Sequence, residues 1–197
     1  MNYFTIVSED RLSAAVIEKL LSLAPFPICI HRRLGEKGCG YIRSHIKDLL
    51  KAAKHQKFFI LMDSDNEDCA LRLVNSLVPE KLKTKNCIFR IAVREIEAWI
   101  LADGPGIGKF LGVSERKLTR MPEKLPDPKK YLVDFARRSR NRNIREGLIP
   151  SEKTSAVIGP EYNVMLSDFV KNFWNAERAA EHSESLRRAV AAIKNIR

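Results

Sequence analysis

The stretch Lys57-Phe-Phe-Ile-Leu-Met-Asp-Ser-Asp65 decides how the rest of the chain is read. Five apolar residues, Phe58 to Met62, run without interruption into two carboxylates, Asp63 and Asp65. A short unbroken apolar run reads as a strand covered on both faces, as in parallel sheets. Ionised carboxylates at the end of such a strand need solvent, a partner or a cation. In open parallel sheets, sites form beyond the carboxyl ends of the strands. The pair therefore points to an Asp-x-Asp metal site at a strand end, for which the rest of the chain must supply further ligands.

Upstream, residues 3–7 read as a first strand, followed by Ser8, Glu9 and Asp10, with Ser8 expected to cap the next helix. Leu12, Ala15, Val16, Leu20 and Leu23 have helical spacing. Pro25 and Pro27 close that helix, and residues 28–30 read as a brief second strand. A basic, glycine-rich loop follows over residues 31–40, then a helix over residues 41–53 with Ile42, Ile46, Leu49 and Leu50 on one face. Downstream of the central strand, residues 66–77 read as a helix with Ala70, Leu71, Val74 and Leu77 inward. Residues 87–93 read as a fourth strand, and residues 94–103 as a strand-to-helix junction. This alternation predicts an α/β fold, a Rossmann-like, mostly parallel sheet flanked by helices. Gly104-Pro-Gly-Ile-Gly108 interrupts the pattern, and beyond it only helices are expected, over residues 109–111, 114–119, 128–138, 162–173 and 183–196. The expected organisation is an α/β core over residues 1–103 and a C-terminal helical extension over residues 104–197, packed on that core.

The formal net charge of the 197-residue chain is +11, which favours an anionic partner such as nucleic acid, with general basicity as the alternative reading. Cys29, Cys39, Cys69 and Cys87 form no Cys-x-x-Cys pair, so they read as free thiols of a reducing cytoplasm. No signal-like segment or apolar run of membrane-spanning length is present, so a cytoplasmic protein without a membrane partner is expected. The four histidines stand apart from one another and from cysteine, which argues against zinc. The absence of a Gly-x-Ser-x-Gly elbow argues against a serine hydrolase.

Acids follow three of the expected strands: Glu9 the first, Asp63 and Asp65 the third, Glu95 and Glu97 the fourth. In a parallel sheet these strand ends share one edge, where the carboxylates could meet around Mg2+ or Mn2+. Such an ion can activate water and stabilise the charge of phosphodiester cleavage. Each acid also has a plainer reading, as a helix-start acid or an N-cap. On a helix, Glu95 and Glu97 would point about 200° apart, so only one of them can face the cluster. Trp99 shares an apolar face with Ile96 and Ile100 and reads as core.

The glutamate after the first strand and the Asp-x-Asp after the third resemble the Toprim domain of topoisomerases, primases and OLD-type nucleases. Asp10 stands where that family usually carries glycine. Arg94-Glu-Ile-Glu-Ala-Trp-Ile-Leu-Ala-Asp103 and Ser183-Glu-Ser-Leu-Arg187 are similar to motifs of small bacterial proteins with a Toprim-like core, the Glu-Ala-Trp group. The resemblance implies a Toprim-like fold, Glu9, Asp63 and Asp65 as Mg2+ or Mn2+ ligands and catalytic residues, and Glu97 as an additional catalytic acid. It also implies kinship with phage-defence or mobile-element systems, and hence a partner protein from such a system.

Cations near these strand ends are candidate phosphate contacts. Arg32, Arg33 and Lys37 lie in the glycine-rich stretch, and Arg137, Arg138, Arg140 and Arg142 form the densest basic run. Lys153, Tyr162, Arg187 and Arg188 are further candidates. The plainer readings are a flexible surface loop and a solvated helix end. The leading expectation is a Mg-dependent nuclease or phosphotransfer enzyme acting on nucleic acid. The alternatives are a non-catalytic nucleic-acid-binding or interaction module, and a nucleotide-binding domain using the glycine loop.

Overall fold

A computed structural model describes residues 2–36, 38, 40–65, 67 and 69–196. In it β1 (Asn2–Ser8), α1 (Arg11–Leu21), β2 (Ile28–Gly35), α2 (Tyr41–Ala52), β3 (Lys57–Asp63), α3 (Ala70–Leu77), β4 (Cys87–Ala92) and α4 (Ile96–Ala102) alternate along the first half. The second half carries α5 (Gly104–Leu111), α6 (Pro128–Ala136), α7 (Arg142–Leu148), α8 (Tyr162–Asn172), α9 (Ala176–Ala180) and α10 (Glu184–Lys194), and no strand among the described residues. The four strands form one all-parallel sheet in the order β2-β1-β3-β4. The fold is α/β, a parallel sheet flanked by helices, with a helical C-terminal half.

Connections between parallel strands are right-handed. The step from β1 to β2 runs one way along the sheet, whereas the steps to β3 and β4 run the other way. Helices α1 and α2 therefore fall on opposite faces. Side chains alternate accordingly: Phe58, Ile60 and Met62 join Ile42, Ile46, Leu50 and Leu73 on the α2/α3 face. Phe59 and Leu61 join α1 and the C-terminal helices in a larger core that includes Trp99, Phe169 and Trp174. That core is continuous across residue 103, because Leu12, Val16 and Leu20 of α1 share it with Leu166 and Val170 of α8.

Several local expectations are corrected. Strand β2 does not stop at residue 30 but runs to Gly35, with Arg32 and Arg33 opposite Thr5 and Ile6 across a bulge. An edge strand has one bonded neighbour and tolerates charge, so arginines do not end it. Helix α1 is capped by Asp10, which accepts from the Ser13 amide at 2.7 Å, while the Ser8 hydroxyl donates to the Asp10 carbonyl. Helix α3 begins at Ala70, and Ala70, Val74 and Leu77 pack on the core as expected, but Leu71 is exposed and Leu73 takes the buried place. The run 104–108 does not interrupt structure but opens α5, because Asp103 caps it through the Gly106 amide at 3.1 Å. Residues 115–117 form only a single 3-10 turn, and helices α7 and α9 were not anticipated.

Candidate functional site

In a sheet of order 2-1-3-4, the chain reverses its winding direction between β1 and β3, and a crevice opens there beyond the carboxyl ends. Glu9 follows β1 directly. The end of β1 is held by the glycine stretch: the Glu36 amide donates to the Ser8 carbonyl at 2.9 Å and the Gly38 amide to the Glu9 carbonyl at 3.1 Å. Gly35, at φ +96°, lies so close that a Cβ would stand 2.0 Å from the Ser8 oxygen. These two amides thus position Glu9 rather than face outward as a phosphate cradle. Burial raises the Glu9 carboxyl to about 7, with the Asp65 and Asp10 charges adding to the rise and Arg43 and Lys129 opposing it.

Asp63 is the last residue of β3, and strand alternation turns it, like Phe59 and Leu61, toward the C-terminal helices. Its Oδ1 is buried with no hydrogen-bond partner among the described residues. Burial, then the Glu97 and Glu9 charges, push its carboxyl well above the ordinary range. Asp65 sits beyond the strand at φ +50°, exposed, with its amide donating to the Arg94 carbonyl at 2.9 Å. A left-handed conformation is one that Asp adopts more readily than most residues. Asp65 lies close enough to Glu9 to raise its pKa, but it points to solvent.

Helix α4 starts later than either acid needs to share a face. Glu95 is still extended, at φ −141° and ψ 159°, and its carboxylate accepts from the Lys129 amide at 3.1 Å and the Lys129 ammonium at 3.3 Å. Glu97 lies in the first turn and is 1% exposed. Its Oε1 accepts from the Tyr162 hydroxyl at 3.0 Å and is 3.7 Å from Lys129 Nζ, whereas Oε2 is buried without a partner among the described residues. Burial raises the Glu97 carboxyl to about 7 against the pull of Lys129. Burial draws the Lys129 ammonium down, but Glu97, Glu95 and Asp63 together hold it above its ordinary value.

The structure thus makes Glu9, Asp63 and Glu97 electrostatic neighbours and sets Asp65 at the rim. Among the described residues, no three carboxylates, imidazoles or thiols are drawn together as a ready-made metal cage. Tyr162, expected to approach phosphate, is instead buried with its hydroxyl on Glu97. Lys129 was missed. It stands near the N-terminus of α6, next to an unremarkable Asp-Pro cap, and only tertiary packing brings it to the acids. No protein-family model matches the chain, and no curated protein or solved structure matches it.

The two motif blocks of the C-terminal half and α4 meet in one joint. The Trp99 indole donates to Ser185 Oγ at 2.7 Å, and the Val93 amide donates to the same oxygen at 3.3 Å. The Ser185 hydroxyl in turn donates to Glu123, which also accepts from the Ser183 hydroxyl and the Ser185 amide. Trp174 adds a bond from its indole to the Trp99 carbonyl at 3.3 Å. With Trp99 fully buried, this joint fixes the helix that carries Glu97.

Of the candidate phosphate contacts, Arg32 is exposed on β2, and Arg33 is bonded to Glu18 of α1 at 2.9 Å. Lys37 lies outside the described residues. Arg137 is 3.6 Å from Asp134, Arg138 covers the Phe135 ring at 4.7 Å, and Arg142 is bonded to Glu146 at 2.7 Å. Arg140 and Lys153 are exposed, and Arg187 and Arg188 both pair with Glu184. A cleft of about 520 Å³ runs from Glu95 and Lys129 past Lys130 to Arg137, with Asp127 and Asp134 also in its wall, so of the second basic group Arg137 reaches the cleft that touches Glu95. Among the described residues, no helix is long and apolar enough to cross a membrane.

Proposed function

We propose that the chain is a Mg2+- or Mn2+-dependent, Toprim-like nuclease or related phosphotransfer enzyme acting on nucleic acid in the cytoplasm. One observation carries the reading. Asp63 Oδ1, at the end of β3, and Glu97 Oε2, in the first turn of the helix after β4, are buried carboxylate oxygens with no partner among the described residues. A buried polar atom without a partner is costly, and a bound cation removes that cost. Hard oxygen donors, one or two carboxylates completed by water and phosphate, suit Mg2+ and need no cage of three. Bound there, the ion would activate water and offset the charge of a phosphodiester undergoing cleavage. Asp63 and Glu97 would hold it, with Glu9 beside them and Asp65 as the outer carboxylate. Glu9, with a pKa of about 7, is suited to take or give a proton near neutrality. Lys129 opposes the rise of the Glu97 pKa and holds the start of α6 through its bonds to Glu95. Lys130 and Arg137 along the cleft would hold a phosphate backbone without reading its sequence. The resemblance to OLD-type nucleases adds a partner protein from a defence or mobile-element system to this proposal.

The test is titration of Mn2+ by calorimetry together with cleavage of labelled DNA and RNA. Wild type is expected to bind the ion and cut at least one substrate, with both lost in Asp63→Asn and Glu97→Gln. Equal binding and cutting by folded variants would sink the idea. A second reading, a nucleic-acid-binding module without catalysis, is favoured by the Lys129 ammonium, which already balances Glu95 and Glu97. It expects salt-sensitive binding that EDTA leaves unchanged and no cleavage product.

A further inference from the structure

Tyr162 opens α8, in the half of the chain that carries none of the acids of the site. The backbone around it sets its place. The Gly159 amide donates to the Leu148 carbonyl and the Glu161 amide to the Gly147 carbonyl, each at 3.0 Å, so the start of α8 is tied to the end of α7. The Tyr162 amide closes the turn on the Gly159 carbonyl at 3.2 Å. The residue is 1% exposed and belongs to the core that Trp99 and Leu166 share. A ring held in this way delivers its hydroxyl to one place, which is Glu97 Oε1.

Glu97 is fixed from its own side by the Trp99–Ser185 joint that holds α4. The two oxygens of its carboxylate are then unequal. Oε1 accepts from the phenol at 3.0 Å and faces Lys129 Nζ at 3.7 Å, while Lys129 gives its hydrogen bond to Glu95 at 3.3 Å. Oε2 is buried without a partner among the described residues. Turning both oxygens toward one ligand would strain or break the Tyr162 bond, and a buried hydroxyl that loses its partner is costly. Cations differ in what they ask of a carboxylate. Ca2+ gathers more oxygens, often both from one carboxylate, whereas Mg2+ takes single carboxylate oxygens and keeps water on its remaining positions.

We propose that Tyr162 is a positioning residue that sets the cation preference of the acid site. By holding Oε1 it leaves Glu97 a single oxygen to give, which suits Mg2+ and Mn2+ and disfavours Ca2+. The inference rests on the cation reading of the site given above and adds the group that selects among cations. The hydroxyl, not the ring, carries the effect. Phenylalanine would fill the same space in the core and release Oε1, so it separates selection from packing.

The experiment titrates Mn2+, Mg2+ and Ca2+, each alone, into the full chain by calorimetry, for wild type and Tyr162→Phe, with circular dichroism to check folding. Wild type is expected to prefer Mn2+ and Mg2+ to Ca2+. Tyr162→Phe should narrow the preference for Mn2+ over Ca2+ by at least about tenfold, the loss of one charge-assisted bond. Loss of packing alone would weaken all three cations together and leave their ratio unchanged. A second measurement needs no variant: infrared difference spectra of wild type, with isotope-labelled glutamate to set Glu97 apart from Asp63. The spacing of the two carboxylate stretches tells one-oxygen from two-oxygen binding, and the one-oxygen pattern is expected with Mn2+. An unchanged ratio in folded Tyr162→Phe, or a two-oxygen glutamate pattern in wild type with Mn2+, would overturn this inference and leave cation binding intact. A wild type that binds none of the three cations would overturn it together with the reading it rests on.

Discussion

Asp63-Ser64-Asp65 and Glu95-Ile96-Glu97 each place two acids two residues apart, yet the more buried member is the first in one and the second in the other. In the first, Asp63 still belongs to β3 and obeys its alternation, and the chain then turns through a left-handed Asp65 that throws the next carboxylate out. In the second, the chain has left β4, Glu95 remains extended at the helix start, and Glu97 is carried inward by the first turn of α4. The same spacing thus has opposite outcomes because one pair straddles the end of a strand and the other the beginning of a helix. Both inner acids have a buried oxygen without a partner among the described residues, and both outer acids are accounted for by solvent or by Lys129.

The largest expected effect separates inner from outer acids. Asp63→Asn and Glu97→Gln should lower metal-dependent cleavage by about a hundredfold or more, and Asp65→Asn and Glu95→Gln by less than about tenfold, in single-turnover assays. An Asp65→Asn loss as deep as that of Asp63→Asn would show that burial does not select the working acid. Next, Lys129→Met should cost about 3 kcal/mol in urea denaturation at pH 8, because it leaves Glu97 buried beside a lost partner. At pH 5, below the Glu97 pKa of about 7, the carboxyl is protonated and the cost should shrink. An equal cost at both pH values would mean that Lys129 matters through packing alone.

A pH titration of the wild type sharpens the same contrast. Glu9 and Glu97 rise from 4.5 to about 7 on folding, so the native state holds protons that the unfolded chain releases. Their contribution is fully present below about 4.5 and is lost as pH rises through about 7, roughly 2 kcal/mol in all after relaxation. Thermal melts should therefore show Mg2+ raising the Tm more at pH 8 than at pH 5, and a shift independent of pH would contradict the raised values. The smallest effect is Glu95→Gln, which weakens the bonds to the Lys129 amide and ammonium and should cost about 1 kcal/mol by the same melts.

How much of this was legible follows from which contacts are local. The central strand was plain because five apolar residues in a row have few other uses. Its neighbour β2 was cut short because Arg32 and Arg33 break apolar patterning, which an edge strand does not require. The start of α5 was hidden by glycines that look like a loop. Gly106 is needed because a Cβ there would stand 2.2 Å from the Asp103 side chain that caps the helix. Helix α9, five residues long, is too short to show a period. At the site, strand-end logic named Glu9, Asp63, Asp65, Glu95 and Glu97, and only the resemblance preferred Glu97 to Glu95. It could not find Lys129, which is 32 residues beyond Glu97 (129 − 97), because nothing near it in the chain marks its destination.

The hydrogen bond from Tyr162 to Glu97 has a consequence for the order of synthesis. A ribosome makes every acid of the site, and the strands that carry them, before residue 104. The ammonium at 129 and the phenol at 162 come later. While the chain is being made, a nascent sheet edge therefore holds carboxylates destined for burial without the groups that permit it. Until residue 162 has emerged, Glu97 must keep either a proton or water, so closure of the helical half over the sheet is a late event in the life of each new chain.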